Sequence, residues 1–457
     1  MLSRLREQKL RAIEERYDAV SATIAALLKH PQVTVPAAAI LQFLERSLAA
    51  LQNRIGDVRA QAQFSVMHDR EFDNALLRSR RVFDKLVVLM DHVAKTVTFP
   101  APPELRESLR SVVKGIFGSG GELLLHSEPG INYTIVELRD AQIETILEAL
   151  SPFGRVKPPD VDRFFSVGLP SAEYDQALVH CIIAHEFGHH AWDWRILSKF
   201  LELRPDVEPF SNFDNSDEQV LGLAIAGEWA TEIAADLFAL YVFGPAYTCA
   251  AIHYASALTA LDEPTTTHPP IRLRLHVLLD LMDEAYTIGQ NENGEREFAY
   301  GQHMSDFFGM WRPTVESKRL GVAGGNVPKG IATAVLDALV TRAPRLRAMA
   351  RRLATTYGAL YDVQQYTRDL TLVRCIGNYI PPVQYLQEGN PQLTTTAGIL
   401  NASWEYFLGG LEEFGRALPS ELTADRHRLS QVFNEFVLKT LELNGLAARW
   451  WATRKDS

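Results

Sequence analysis

Two histidines and a glutamate carry the clearest chemical signal in this chain: His185, Glu186 and His189, in the string His-Glu-Phe-Gly-His. Because an α-helix turns about 100° and rises ~1.5 Å per residue, His185 and His189 would share one face, ~6 Å apart along the axis. Two imidazoles placed in this way can bind one divalent ion at ~2.0–2.1 Å. Glu186, one step round the helix, can reach a water on that ion and act as general base. The motif therefore predicts zinc-activated hydrolysis.

A third zinc ligand is expected from a second apolar helix, predicted from about Asp217 to Phe243. It carries Glu228, Glu232 and Asp236 at steps of four, and therefore on one face. Carboxylates among apolar neighbours are costly unless they are paired or bind a cation. Glu232 is the predicted ligand, and Asp236 would hold a ligand imidazole in its metal-binding tautomer. Glu228 stays the runner-up ligand, because spacing alone does not exclude it.

The elements around these residues predict a mainly α fold of the α+β class. His185 and His189 lie in a helix predicted from about Ala172 to Trp194. Upstream of it, the apolar runs 123–125 and 133–136 flank a Ser-Glu-Pro-Gly turn and predict a β-hairpin, and residues 163–167 predict a further short strand. We therefore expect a small β-sheet beside the helix that carries His185.

Three regions follow from the spacing of apolar residues and the proline-rich breaks. Residues 1–98 predict an N-terminal helical hairpin or bundle, since apolar residues recur at helical spacing between charges. A Pro-rich stretch separates them from the core, predicted over residues 104–286. Residues 287–457 predict a C-terminal helical region and carry no transferable catalytic signature.

Composition limits the class of protein. Hydrophobic residues make up 47% of the 457 positions and charged residues 22%, which is ordinary for a soluble globular protein. The net charge of −10, with no long basic run, argues against nucleic acid as a partner. No apolar signal segment or membrane span is evident. Three widely spaced cysteines suit a reducing compartment, so a cytoplasmic location is expected.

Three sequence elements together resemble one protease family. The strings 184–189 and 232–236 are similar to the His-Glu-x-x-His and Glu-x-x-x-Asp motifs of gluzincin zinc endopeptidases of the HtpX and CAAX-prenyl-protease type. The string Thr-His-Pro-Pro at 267–270, followed by Arg274, resembles the segment after the third ligand in that family. The resemblance covers about residues 163–280.

This resemblance implies a zincin-like core with roles for seven residues. His185, His189 and Glu232 would bind Zn²⁺, and Glu186 would be the general base. Asp236 would orient a ligand histidine, His268 would stabilise the oxyanion near the metal, and Arg274 would pair with the carboxylates that support the site.

The function expected from the sequence is a soluble zinc endopeptidase that cleaves a protein or peptide substrate. Members of the family commonly carry membrane-spanning helices, which are not evident here, so the substrate is not inherited from the resemblance. Two alternatives stay open: a catalytically silent helical interaction or regulatory protein with a zincin fold, and a defence or toxin-like protease with a single target.

Overall fold

Helices make up most of the chain, and a computed structural model describes the following residues: 4–63, 67–118, 121–130, 132–153, 155–161, 163–173, 175–191, 201–202, 204, 210–213, 215–256, 260–290, 296–316, 320–322, 325–387, 390–416, 418–423 and 425–455. The α-helices described are α1 (Arg4–Leu28), α2 (Val35–Gln63), α3 (Asp69–Thr98), α4 (Pro103–Phe117), α5 (Glu144–Leu150), α6 (Ile183–Ala191), α7 (Ser216–Phe243), α8 (Pro245–Ser256), α9 (Ile271–Ala285), α10 (Gln302–Val315), α11 (Lys329–Thr356), α12 (Val363–Asp369), α13 (Val373–Gly377), α14 (Thr396–Gly415) and α15 (Arg426–Lys455). The strands are β1 (Gly121–Glu128), β2 (Thr134–Glu137), β3 (Arg163–Pro170), β4 (Thr287–Gln290), β5 (Arg296–Phe298), β6 (Gln384–Gln387) and β7 (Asn390–Leu393).

The chain divides into two compact units. Unit 1 consists of Met1–Pro102 and Ser119–Tyr174, and unit 2 of Pro103–Gly118 and Asp175–Ser457. Unit 1 therefore holds α1–α3, α5 and the strands β1–β3, and unit 2 holds the remaining elements. The three regions expected from the sequence stay a prediction about domains.

Unit 1 is built on three long helices whose apolar residues recur at helical spacing. On α1, Leu10, Tyr17 and Ile24 follow one another every seven residues and are all buried. This spacing places them on one face, which packs against α2. α2 in turn packs against α3 and buries a leucine-rich face that includes Leu44 and Leu48. Burial of apolar surface therefore stabilises these helices more than intrinsic helix propensity does.

The sheet of unit 1 has the strand order β1-β3-β2, so the predicted β-hairpin is wrong. β1 pairs in parallel with β3, and β2 pairs with β3 in the antiparallel direction. β3 takes the centre because it is the most apolar strand: Phe164, Phe165 and Val167 are all fully buried. β2 is shorter and partly exposed, which suits an edge strand.

In unit 2, other helices pack around α7, the helix that carries Glu232 and Asp236. Every residue from Trp229 to Phe243 except Thr231 is buried, because α6, α8, α9, α11 and α14 all pack against this helix. α7 begins after Asn215, whose side chain accepts a hydrogen bond from the backbone N–H of Asp217. It ends at Gly244, which has a positive φ of 65° that favours glycine. The helix thus closely matches the range expected from the sequence.

The helix that carries His185 begins later than expected. Residues 171–173 form a turn after β3, residues Ala177–Ile182 form a 3₁₀ helix, and α6 begins only at Ile183. The predicted continuation beyond Ala191 to residue 194 lies outside the described residues. The sheet belongs to unit 1, whereas α6 belongs to unit 2.

None of the helices in the described part of the chain combines the length and the apolarity that a membrane span requires.

Candidate metal centre

Three predicted ligands from two helices converge. The Nε2 atoms of His185 and His189 lie 3.1 Å apart. The carboxylate of Glu232 faces both nitrogens, with Oε2 at 3.3 Å from His185 Nε2 and Oε1 at 3.3 Å from His189 Nε2. Ligand atoms of a tetrahedral zinc site with bonds of ~2.0–2.1 Å are about 3.3–3.4 Å apart. The spacing of these three ligands therefore suits one small divalent ion.

Close contact between α6 and α7 brings the ligands together. A Cβ atom on Gly188 would lie 2.9 Å from Ala235 Cα and 3.0 Å from its Cβ. Only a residue without a side chain on α6, facing a small residue on α7, allows this approach. Gly188 directly precedes His189, and Ala235 lies between Glu232 and Asp236, so the contact lies beside the ligand atoms.

Asp236 and Arg274 hold the ring of His185. Asp236 Oδ1 lies 2.8 Å from His185 Nδ1, and Arg274 donates to both oxygens of the same carboxylate at 2.7 Å. An ionised carboxylate only accepts hydrogen bonds, so His185 donates from Nδ1. The other ring nitrogen, His185 Nε2, then faces Glu232 and His189, so it is the nitrogen that could bind a metal.

The charges of this cluster favour a cation. Burial acts to raise the pKa of both carboxyl groups, but Arg274 and His185 hold the pKa of Asp236 well below its usual range. The neighbouring rings of His185 and His189, with the charge of Arg274, do the same for the pKa of Glu232. Burial acts to lower the pKa of His185, but Asp236 and Glu232 outweigh burial and raise it to about 9. Both carboxylates are therefore ionised at neutral pH, and positive charge at His185 Nε2 is stabilised.

One carboxylate oxygen of the cluster has no hydrogen-bond partner among the described residues. Glu232 Oε2 is buried, yet it makes no hydrogen bond with the described residues. Its nearest cationic neighbours are His185 Nε2 at 3.3 Å and Arg274 Nη1 at 3.4 Å. A buried carboxylate oxygen without a hydrogen bond is costly unless a cation compensates it. With the imidazole nitrogens of His185 and His189, the carboxylate of Glu232 completes a donor set that fits Zn²⁺.

The two other glutamates of these helices lie outside the ligand cluster. Glu228 is exposed, one turn before Glu232, and is not among the residues whose ligand atoms converge in the described part of the chain. Glu186 is half-buried on α6 and makes no hydrogen bond or ion pair with the described residues. Its carboxylate is therefore available to accept a proton from a water.

His268 lies at the exposed edge of the cluster. Its side chain is 58% exposed, and Nε2 is 3.7 Å from Glu232 Oε1. The loop that carries it is held by Trp229 of α7, whose indole N–H donates to the carbonyl of Thr265 at 2.9 Å. The hydroxyl of Thr267 lies 2.9 Å from His268 Nδ1 and so fixes the ring on its other side. The structure thus brings His268 and Arg274 to the same cluster as the three ligands.

One residue of the cluster was missed in the sequence. The hydroxyl of Tyr247 donates to Asp236 Oδ1 at 2.5 Å. Tyr247 lies in α8, beyond the break at Gly244, so helical periodicity could not connect it with Asp236. Trp229 belongs to no recognisable motif, although its indole N–H positions the His268 loop.

Comparison with known proteins gives no family. No protein-family model matches the chain, and neither curated proteins nor solved structures give a match.

Proposed function

We propose that this chain is a zinc-dependent endopeptidase with a zincin-like core of the gluzincin type. One observation carries the proposal: two imidazoles of α6 and a carboxylate of α7 converge at spacings that suit a zinc ion. Glu186 follows His185 directly in α6. The resemblance of the sequence motifs to gluzincin endopeptidases supports the same conclusion.

His185, His189 and Glu232 would hold the ion. Zinc bound there would polarise the scissile carbonyl and lower the pKa of a water to ~7. Glu186 accepts the proton of the attacking water and passes it to the leaving amine. His268, exposed at the edge of the cluster, donates to the oxygen of the scissile carbonyl as negative charge develops on it.

The substrate would be a protein or peptide, and the place of action the cytoplasm. The exposure of His268 supports a site open to an extended chain on that side. The free state of Cys181, Cys249 and Cys375 supports a reducing compartment.

The test compares Glu186→Gln with Glu228→Gln. Both remove one carboxylate from a ligand-bearing helix, but Glu228 is exposed and lies outside the cluster. Glu186→Gln should retain zinc and lose about 10²–10⁴-fold in cleavage rate, because it removes the general base. Glu228→Gln should cleave like the wild type. The readouts are elemental analysis of the purified protein and chelator-sensitive cleavage of a peptide library, followed by mass spectrometry.

Two results would overturn the proposal: a purified chain that binds no zinc, or a Glu186→Gln variant that cleaves as fast as the wild type. Zinc bound without any cleavage would instead favour the silent interaction protein. If a single protein co-purifies with the Glu186→Gln chain from cells, and the wild type cleaves that protein, the substrate is one dedicated target.

A further inference from the structure

A buried tyrosine hydroxyl completes the environment of Asp236. Tyr247 is 2% exposed, and its Oη lies 2.5 Å from Asp236 Oδ1. The same oxygen accepts from His185 Nδ1 and from Arg274 Nη2, at 2.8 and 2.7 Å. Since the ionised carboxylate only accepts, Tyr247 is the donor of this hydrogen bond.

A sharp break in the chain places Tyr247 beside a residue eleven positions earlier. α7 ends at Gly244, where a Cβ atom would lie 2.8 Å from the ring of Tyr361. α8 begins at Pro245 and packs against α7. Asn401 of α14 fixes this turn, because it donates to the carbonyl of Phe243 at 2.7 Å and accepts from the N–H of Ala246 at 2.8 Å.

The two other donors compete for the oxygen that Tyr247 binds. Arg274 Nη2 and His185 Nδ1 are 3.4 Å apart, and both are donors to Asp236 Oδ1. Without the tyrosine hydroxyl, the carboxylate could rotate toward Arg274, which already holds its other oxygen. The ring of His185 would then lose the acceptor that fixes its orientation.

We propose that Tyr247 is a positioning residue of the metal centre: its hydroxyl holds Asp236 in place for His185, and Asn401 holds the turn that carries Tyr247. This inference rests on the proposed metal site. It assigns to helix α14, in the C-terminal region, a role in metal binding that the sequence motifs do not contain.

The test is zinc affinity, measured by chelator competition on the full chain. Tyr247→Phe removes only the hydroxyl and should weaken zinc binding about 10-fold, the low end of the effect of partners of ligand histidines. Tyr361→Phe is the matched control, because its hydroxyl donates to another buried carboxylate of unit 2, Asp369, at 2.9 Å. That variant should lose a similar amount of stability in the metal-free protein and keep the wild-type zinc affinity.

Cobalt provides a second readout. The visible absorption of Co²⁺ at the site reports on ligand geometry, so the spectrum should change in Tyr247→Phe and not in Tyr361→Phe. If Tyr247→Phe does not fold, Asn401→Ala takes its place and should also weaken zinc binding, by less than about 10-fold, because Asn401 acts on the ligand only through Tyr247.

The proposal is wrong if Tyr247→Phe binds zinc within twofold of the wild type, or if both tyrosine variants weaken binding equally. Asp236→Asn is the positive control, because it alters the carboxylate that orients His185, and it should weaken zinc binding more than Tyr247→Phe. A wild-type chain that binds zinc but cleaves no peptide would overturn the peptidase proposal alone. The difference between the two tyrosine variants would still decide the role of Tyr247.

Discussion

At the scale of single residues, one helical turn separates a buried ligand candidate from an exposed one. Glu228 and Glu232 lie on the same face of α7, yet only Glu232 reaches the imidazoles of His185 and His189. The difference arises from what packs against each side chain. Glu232 is buried where α6 packs against α7, whereas the side chain of Glu228 is exposed to solvent.

This difference predicts unequal effects of the same substitution. Glu232→Gln should weaken zinc binding by more than about 100-fold, above the range for residues that only support a ligand. Glu228→Gln should leave affinity unchanged within error. Competition with a chelator of known affinity measures both variants. Equal affinities in the two variants would exclude Glu232 as a ligand.

At the scale of elements, the approach of α6 to α7 depends on a glycine facing an alanine. The contact between Gly188 and Ala235 leaves no room for a Cβ atom on Gly188. The distance between the two helices sets the distances among the ligand atoms, so this contact controls the site as much as the ligands themselves do.

Gly188→Ala should therefore affect both stability and metal binding. The added methyl group would force the helices apart and lower the free energy of unfolding by about 1–3 kcal/mol, with weaker zinc binding. Gly227→Ala is the control, because a Cβ atom at Gly227, on the partner helix α7, meets nothing within 4 Å. That variant should gain about 0.5–1 kcal/mol from the better helix propensity of alanine. Denaturant unfolding and zinc competition measure both; a Gly188→Ala chain as stable as wild type would contradict the contact.

The sequence predicted the parts of this structure that depend on local spacing. His185 and His189 lie together because helical geometry alone puts them there, and the range of α7 follows from its apolar run and its glycine stop. Long-range features were missed. The order of strands depends on which strand is buried on both faces, which a hairpin rule does not consider. The contact of Tyr247 with Asp236 depends on how the chain turns at Gly244, and no periodicity extends across that break.

At the scale of the whole molecule, α14 supports both ligand-bearing helices of unit 2. Asn401 bonds the turn after α7, and Trp404, one turn further, donates its indole N–H to the carbonyl of Leu178 at 3.0 Å. Leu178 lies in the 3₁₀ helix directly before α6. A C-terminal region without catalytic motifs therefore holds the elements that carry the metal ligands.

Unit 1 contains a separate, pH-sensitive group of histidines. Ser166 of β3 lies 2.9 Å from His92 Nδ1 and 3.3 Å from His126 Nε2. Burial lowers the pKa of His92, and Lys95 lowers it further. Burial also lowers the pKa of His126, although Glu128 opposes this effect. Both imidazoles are therefore neutral in the folded unit at pH values where an unfolded histidine, with a pKa of about 6.5, becomes protonated.

The sign of these shifts predicts that acid weakens unit 1. Below about pH 6.5 the unfolded state binds more protons than the folded state, so stability falls as pH falls. Amide exchange in α3 and β3, corrected for the intrinsic effect of pH, should be faster at pH 5.5 than at pH 7.5. The double variant His92→Gln, His126→Gln should lose this dependence, while exchange in His30→Gln, at an exposed position, should follow the wild type. If amide exchange in the double variant keeps the wild-type pH dependence, other titratable groups cause the effect.

The ligands of α6 and α7 are about 40 residues apart in the chain. An ion that joins them would therefore close a loop of the polypeptide, as a disulfide does, and a chelator could open that loop without any redox reaction. The zinc supply of a cell would therefore set the stability of the contact between α6 and α7, as well as the catalytic activity of the site.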